Sequence, residues 1–307
     1  MIVTAQVTYR AAAPSDVERT YQVFLEANED LDSRLHRTID APDMSPSTRA
    51  LAVRRSALRY DPERFWVAEA GGCVVGFGLA TVRGHLWYLA ALHVLPAHQS
   101  RGVGRELLQR CLASEPPGAS RLTQTDADQP VANALYARFG MFPQTPVLHL
   151  EGRAWTDTRE HSGLRVTPIA PEEAAAPDLA AIDQSVFGTP RAADHDCWLH
   201  MPRMQGLRLQ DGGATVGYCY LDGDGIIGPL ATTDPRLLGP ALEVAVHAAV
   251  DRGTEVVRAR VPGTARAVIA RLLDRGFRVG TPIHLLLTSA DIENLDRYLF
   301  SGGDALY

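Results

Sequence analysis

The chain has 307 residues, long for one domain and natural for two, and its 46% apolar and 21% charged residues are ordinary for a globular protein. A formal net charge of −6 argues against a general nucleic-acid surface, and no apolar run approaches the ~20 residues of a membrane span. With no basic-then-apolar leader before a cleavage site, the expected compartment is cytoplasmic.

In chain order, Ser15-x-x-Glu18 reads as a capping box opening a helix toward Asn28. Ser45-Pro46 opens a second helix through about Arg59, with proline where its missing N–H is harmless. Strands follow near 64–70, 73–83 and 86–95, the first two joined by Gly71-Gly72 as a hairpin. A helix over 106–113, a Pro116-Pro117 break, a strand near 120–125, a helix around Tyr136 and a strand near 143–150 complete this half. Cys73, Cys111, Cys197 and Cys219 show no paired spacing for zinc or redox chemistry and read as buried small hydrophobes.

Between the third strand and the next helix stands Gln99-Ser100-Arg101-Gly102-Val103-Gly104-Arg105. Strand, glycine loop and helix together present unpaired backbone N–H groups to an anion. Gly102 and Gly104 let a pyrophosphate approach the main chain, and Arg101 and Arg105 add charge that forks onto phosphate oxygens. The loop resembles the Q/R-x-x-G-x-G/A signature of the GNAT superfamily of acyl-CoA-dependent N-acetyltransferases, after a strand ending Leu92-His93-Val94-Leu95-Pro96. Downstream, Val131 to Gly140 resembles that superfamily's second cofactor motif, ending Leu-Tyr-x-Lys/Arg-x-Gly.

The chain also repeats itself at about 140 residues. Glu69 to Phe77 lines up with Gln210 to Tyr218, and Leu135 to Gly140 with Arg271 to Gly276. The expected fold is α/β, with tandem GNAT-like copies that are each a twisted, mostly antiparallel sheet flanked by helices. The expected organisation is a catalytic domain over 1–152, a linker over 153–163, a second copy over 164–290 and a helical tail over 291–307 ending at Gly302-Gly303. Where the first copy has Gln99 to Gly104, the second has Asp234-Pro235-Arg236-Leu237-Leu238-Gly239. Asp234 is a good N-cap whose carboxylate satisfies the N–H groups a phosphate needs and repels that phosphate. Leu272 replaces the tyrosine. The second copy therefore reads as lacking its cofactor loop.

The resemblance implies acetyl-CoA as acyl donor and an N-acetyltransferase working by direct attack of an amine on the thioester. It implies that main-chain groups of Leu92, Val94 and Leu95 pair with the pantetheine, and that residues Gln99, Ser100, Arg101, Gly102, Val103, Gly104 and Arg105 hold the pyrophosphate. Gln129 and Asn133 are implied as further cofactor contacts, with Gln129 standing where the family usually has asparagine. Tyr136 matches the family tyrosine and, with an ordinary pKa of roughly 10, is expected to donate a proton to the leaving thiolate. His93, on the strand beside the expected thioester, is the candidate base, ahead of Tyr88, His85 and Glu69. Glu26, Glu29, Asp30 and Asp32 form an acidic cluster that either attracts a cationic amine or is a solvated helix end balanced by Arg34 and Arg37.

All thirty basic residues are arginine, so only the chain's own N-terminus is open to self-acetylation. The expected partner is a small-molecule amine, with no nucleic acid, membrane or metal, and the chain as a monomer or homodimer. Two alternatives stay open: protein or peptide N-acetylation, and a non-catalytic acyl-CoA-binding sensor or scaffold.

Overall fold

A run of apolar residues with paired glycines before it shapes the first unit around one strand. The computed structural model describes residues 6–37, 48–156 and 163–301, and the chain divides into two compact units, 1–119 and 120–307. In the first, β1 (Thr8–Ala11), β2 (Phe65–Ala70), β3 (Cys73–Arg83) and β4 (Leu86–Val94) form an antiparallel sheet in that order. Val74 to Ala80 of β3 are apolar or glycine and all buried, because helices cover both faces. On one face, Val103 and Leu107 of α3 (Val103–Leu112) pack on Ala68, Val75 and Val94. On the other lie α1 (Val17–Arg34) and α2 (Thr48–Tyr60), with Phe24 of α1 against His93 and Arg54 of α2 over Phe77.

β2, β3 and β4 fall where the sequence places them, whereas β1 was not expected, and α1 does not begin or end as expected. Asp16, not Ser15, reaches back, accepting the Ala13 N–H at 2.7 Å while binding Arg10. The helix runs past Asn28 to Arg34, held by buried Tyr21, Val23 and Ala27 and by an Asp30–Arg34 pair one turn apart. Ser45 and Pro46 lie outside the described residues. Of the four cysteines, Cys111, Cys197 and Cys219 are buried as expected, whereas Cys73 is exposed because it sits at the hairpin turn.

The second unit opens with β5 (Ser120–Asp126), α4 (Pro130–Arg138) and β6 (Phe142–Arg153), so β6 runs to the edge of the expected linker. After the described part of that linker come β7 (Arg165–Ile169), α5 (Pro177–Phe187), α6 (Ala192–Leu199), β8 (Gln205–Asp211), β9 (Ala214–Leu221) and β10 (Ile226–Thr232). Then follow α7 (Pro235–Asp251), β11 (Val256–Pro262), α8 (Arg266–Asp274), β12 (Arg278–Val279), β13 (His284–Thr288) and β14 (Tyr298–Leu299). The strand order is β5-β13-β6-β11-β10-β9-β8-β7, with β12 on β6 and β14 on β10. The pairs are antiparallel except β10 with β11.

Within this unit the last strands of the two repeats trade places. β13, from the second repeat, lies between β5 and β6 of the first and pairs with both. β6 in turn pairs with β11 of the second repeat, from Val147–Pro262 to Arg153–Val256. Leu150 of β6 is buried in one cluster with Leu238, Leu242 and Val246 of α7 and Val268 and Leu272 of α8. Leu272 is thus a core side chain.

The expected helical tail is replaced. Its described part makes a single 3-10 turn, Leu295–Arg297, and then strand β14. The chain straightens because Tyr298, Leu299 and Phe300 are all at most 1% exposed and their backbone finds partners in neighbouring strands. Gly302 and Gly303 lie outside the described residues.

Candidate active site

The loop after β4 is held from below and open above. Leu95 N–H donates to Val75 O at 2.8 Å, and the Gln99 side-chain amide donates to Val94 O at 2.9 Å, tying the loop to the strand it leaves. Gln99 therefore acts on the loop through its side chain. Ser100 and Gly102 both take left-handed backbone, with φ of 61° and 83°, and this reverses the chain into α3. Gly102 is the N-cap residue and offers no side chain to the helix, so none of the described residues caps its first turn.

Among the described residues, the N–H groups of Val103, Gly104 and Arg105 have no acceptor; the helix ladder starts at Glu106 N–H to Gly102 O, 3.0 Å. A Cβ added at Gly102 would meet nothing within 4 Å, and at Gly104 only Val94 at 3.8 Å, so the space over the loop is free. Arg101 and Arg105 are exposed and pair with no carboxylate among the described residues. Unpaired N–H groups, helix dipole and two free guanidinium groups fit a pyrophosphate. Leu92, Val94 and Leu95 pack with the α3 side, and Leu92 and Val94 pair with Gly78 and Gly76 of β3.

The corresponding helix of the second repeat is closed. Pro235 has no N–H, Arg236 N–H donates to Asp234 Oδ1 at 2.8 Å, and Leu237 N–H donates to Asp234 O at 3.0 Å. Hydrogen bonds from the Arg236 side chain and N–H hold the Asp234 carboxyl down to about 2, so it is a carboxylate at neutral pH.

In the second unit, Tyr136 is 6% exposed on α4, and burial pushes its phenol well above the ordinary range. Its hydroxyl makes no hydrogen bond to the described residues. It is protonated at neutral pH with its proton uncommitted. Asn133 donates its amide to Asp126 O at 3.1 Å and Gln129 O at 2.8 Å, which stitches the start of α4 to the end of β5. Its Oδ1 is buried without a partner, an open acceptor that suits an amide N–H of a pantetheine arm. Gln129 is the N-cap residue of α4 without a side-chain cap bond.

The base candidates separate. The half-buried His93 ring lies 5.0 Å from Phe24 and 5.5 Å from Phe77. Glu69 is engaged by Arg10 at 2.7 Å. His85 sits in the exposed turn at the far end of β4, roughly 26 Å along the strand from His93, and Tyr88 is buried. Most of the acidic cluster is neutralised: Glu26 pairs with Arg19, Asp30 with Arg34 and Asp32 with Arg37.

One group escapes sequence reading. His284 Nε2 contacts Asp126 Oδ1 at 2.8 Å, and its Nδ1 lies 3.2 Å from His149 Nε2. These three side chains come from β5, β13 and β6, and His149 and His284 are 135 residues apart. Only the exchange of β13 brings them together, so no local spacing announces them.

Residues 25–141 match the family model of the acetyltransferase (GNAT) family. No curated protein matches the chain in sequence. Among solved structures it is similar to a candidate acetyltransferase of Pyrococcus horikoshii, with a TM-score of 0.75, 17% identity and 98% and 96% of the two chains covered. A GCN5-related N-acetyltransferase of Sphaerobacter thermophilus is similar with a TM-score of 0.58 and 19% identity, over 92% and 95%. A tandem GNAT protein from the clavulanic acid biosynthesis pathway is similar with a TM-score of 0.57 and 17% identity, over 92% and 98%.

Proposed function

We propose, from the match of residues 25–141 to the model of the acetyltransferase (GNAT) family, that the chain is an acetyl-CoA-dependent N-acetyltransferase acting on the amine of a small molecule. The observation that carries this reading is the open N-terminus of α3, where three backbone N–H groups and two arginines have no partner among the described residues. Val103, Gly104 and Arg105 N–H groups hold the pyrophosphate, and Arg101 and Arg105 neutralise it. Asn133 Oδ1 accepts from the pantetheine, and Gln129 and main-chain groups of Leu92, Val94 and Leu95 are further cofactor contacts. Acetyl-CoA supplies the activated acetyl thioester. His93 takes the proton from the acceptor amine, and Tyr136 gives its phenolic proton to the departing sulfur. In this reading residues 1–152 are the catalytic copy and residues 164–290 a copy that binds no cofactor. The protein is cytoplasmic, a monomer or homodimer, without nucleic-acid or membrane partners.

Calorimetric titration of acetyl-CoA tests the loop. One site per chain is expected, and Gly102→Asp abolishes it by bulk and by charge against the pyrophosphate. Binding that survives Gly102→Asp refutes the loop assignment.

A further inference from the structure

In the second repeat, β10 and β11 run parallel but pair only where Ile226 and Ile227 face Arg258 and Ala259. Past that point residues 298–300 lie between them. Leu299 pairs with Leu230 and Tyr298 with Ala231 of β10, while Phe300 pairs with Arg260 of β11 and donates its N–H to Arg260 O at 2.9 Å. Parting parallel strands leave two facing rows of backbone donors and acceptors, a slot for one extended chain.

We propose that residues 298–300 are an internal ligand, seated in the slot where the second repeat would otherwise receive an extended acyl-carrier arm, and that they close this repeat to acetyl-CoA. The inference rests on the reading of residues 164–290 as a copy of the acetyltransferase fold.

Two features hold the segment in place. The Tyr298 hydroxyl accepts from Arg191 Nη1 at 3.1 Å, and the Arg191 guanidinium also stacks over Phe187, Trp198 and Tyr298. Arg191 is itself fully buried, its Nε on Asp194 at 2.9 Å and its N–H on Asp183 at 3.0 Å, so the tail is anchored to a polar network that water does not reach. On β10, Gly228 has a φ of 147° and its missing Cβ leaves the room that the Phe300 carbonyl occupies. The strand is thus built around the tail. Further along, Asp234 fills the N-terminus of α7. Both contacts a coenzyme needs, the slot for its arm and the cradle for its phosphates, are taken by the protein itself.

Amide hydrogen exchange on the full-length protein, with and without acetyl-CoA, tests this. Segments 226–232 and 295–301 should exchange at least about 100-fold more slowly than an unfolded chain, and acetyl-CoA should leave them unchanged while it slows 99–105. Gly228→Ala, which pushes a methyl against the Phe300 carbonyl, should release protection in 226–232 and 295–301 and leave 99–112 unaltered. Fast exchange of 295–301 in the wild type, or its acceleration by acetyl-CoA, overturns the proposal, as does a second acetyl-CoA per chain that survives Gly102→Asp. Should Gly228→Ala not fold, the wild-type comparison decides alone. If acetyl-CoA slows nothing at 99–105, it is the acetyltransferase reading that fails, and the exchange of 295–301 still shows whether the tail is seated.

Discussion

Tyr136 is buried as a side chain, and its hydroxyl makes no hydrogen bond to the described residues. Its hydroxyl contributes little to folding, so its removal tests chemistry more than stability. Tyr136→Phe is expected to lower turnover by about 100- to 10,000-fold, the usual range for a general acid, with acetyl-CoA affinity within a few-fold of wild type. A sensor or scaffold would show neither turnover nor any consequence of the change. Steady-state rates and calorimetry on the same two proteins separate the readings. Asn133 is a residue of the same kind: its amide serves the fold, its buried Oδ1 does not.

At the scale of elements, two helices show how one N-terminus stays open while another closes. α3 follows a glycine and leaves its first N–H groups unpaired; α7 follows an aspartate that takes them. The Asp234 carboxyl is held at about 2 against an ordinary 3.8, so its charge favours the folded state above 3.8 and that contribution fades as pH falls through about 2. Asp234→Ala should therefore lower Tm at neutral pH, and the gap to wild type should close as the pH is taken from 3.8 down to about 2. Thermal melts across that range check it; a gap that persists at pH 2 shows that the cap acts through something other than its charge.

At the scale of the molecule, strand exchange makes the repeats dependent on each other. β5 and β6 each pair with β13, which is encoded after residue 283, and β6 also pairs with β11. A fragment ending at residue 156 leaves the β13-facing edge of β5 and both edges of β6, toward β13 and toward β11, without partners, and exposed strand edges aggregate. That fragment is expected to be insoluble or oligomeric on its own and to recover a defined size when co-expressed with residues 157–307. Gel filtration of the two samples decides; a stable monomeric 1–156 contradicts the exchange.

The loop at Gln99 to Arg105, the strands around it, the Gly71-Gly72 turn and the Asp234 cap are legible in the sequence because each depends on neighbours a few residues away: a missing Cβ, a left-handed φ, a carboxylate two residues before an N–H. The Asp126–His284–His149 series, the seat of residues 298–300 and the exchange of β13 are not, because they join strands from about 40 to more than 150 residues apart, and backbone pairing carries no residue code that a spacing could reveal. The tail shows the difference most plainly. Read locally, residues 291–307 suggest a helix; in the fold, a slot lined by unpaired backbone groups is available, and burying Tyr298, Leu299 and Phe300 in it as a strand outweighs the local preference. Local chemistry determined where an anion could bind, and only tertiary pairing decided which strand completes which sheet.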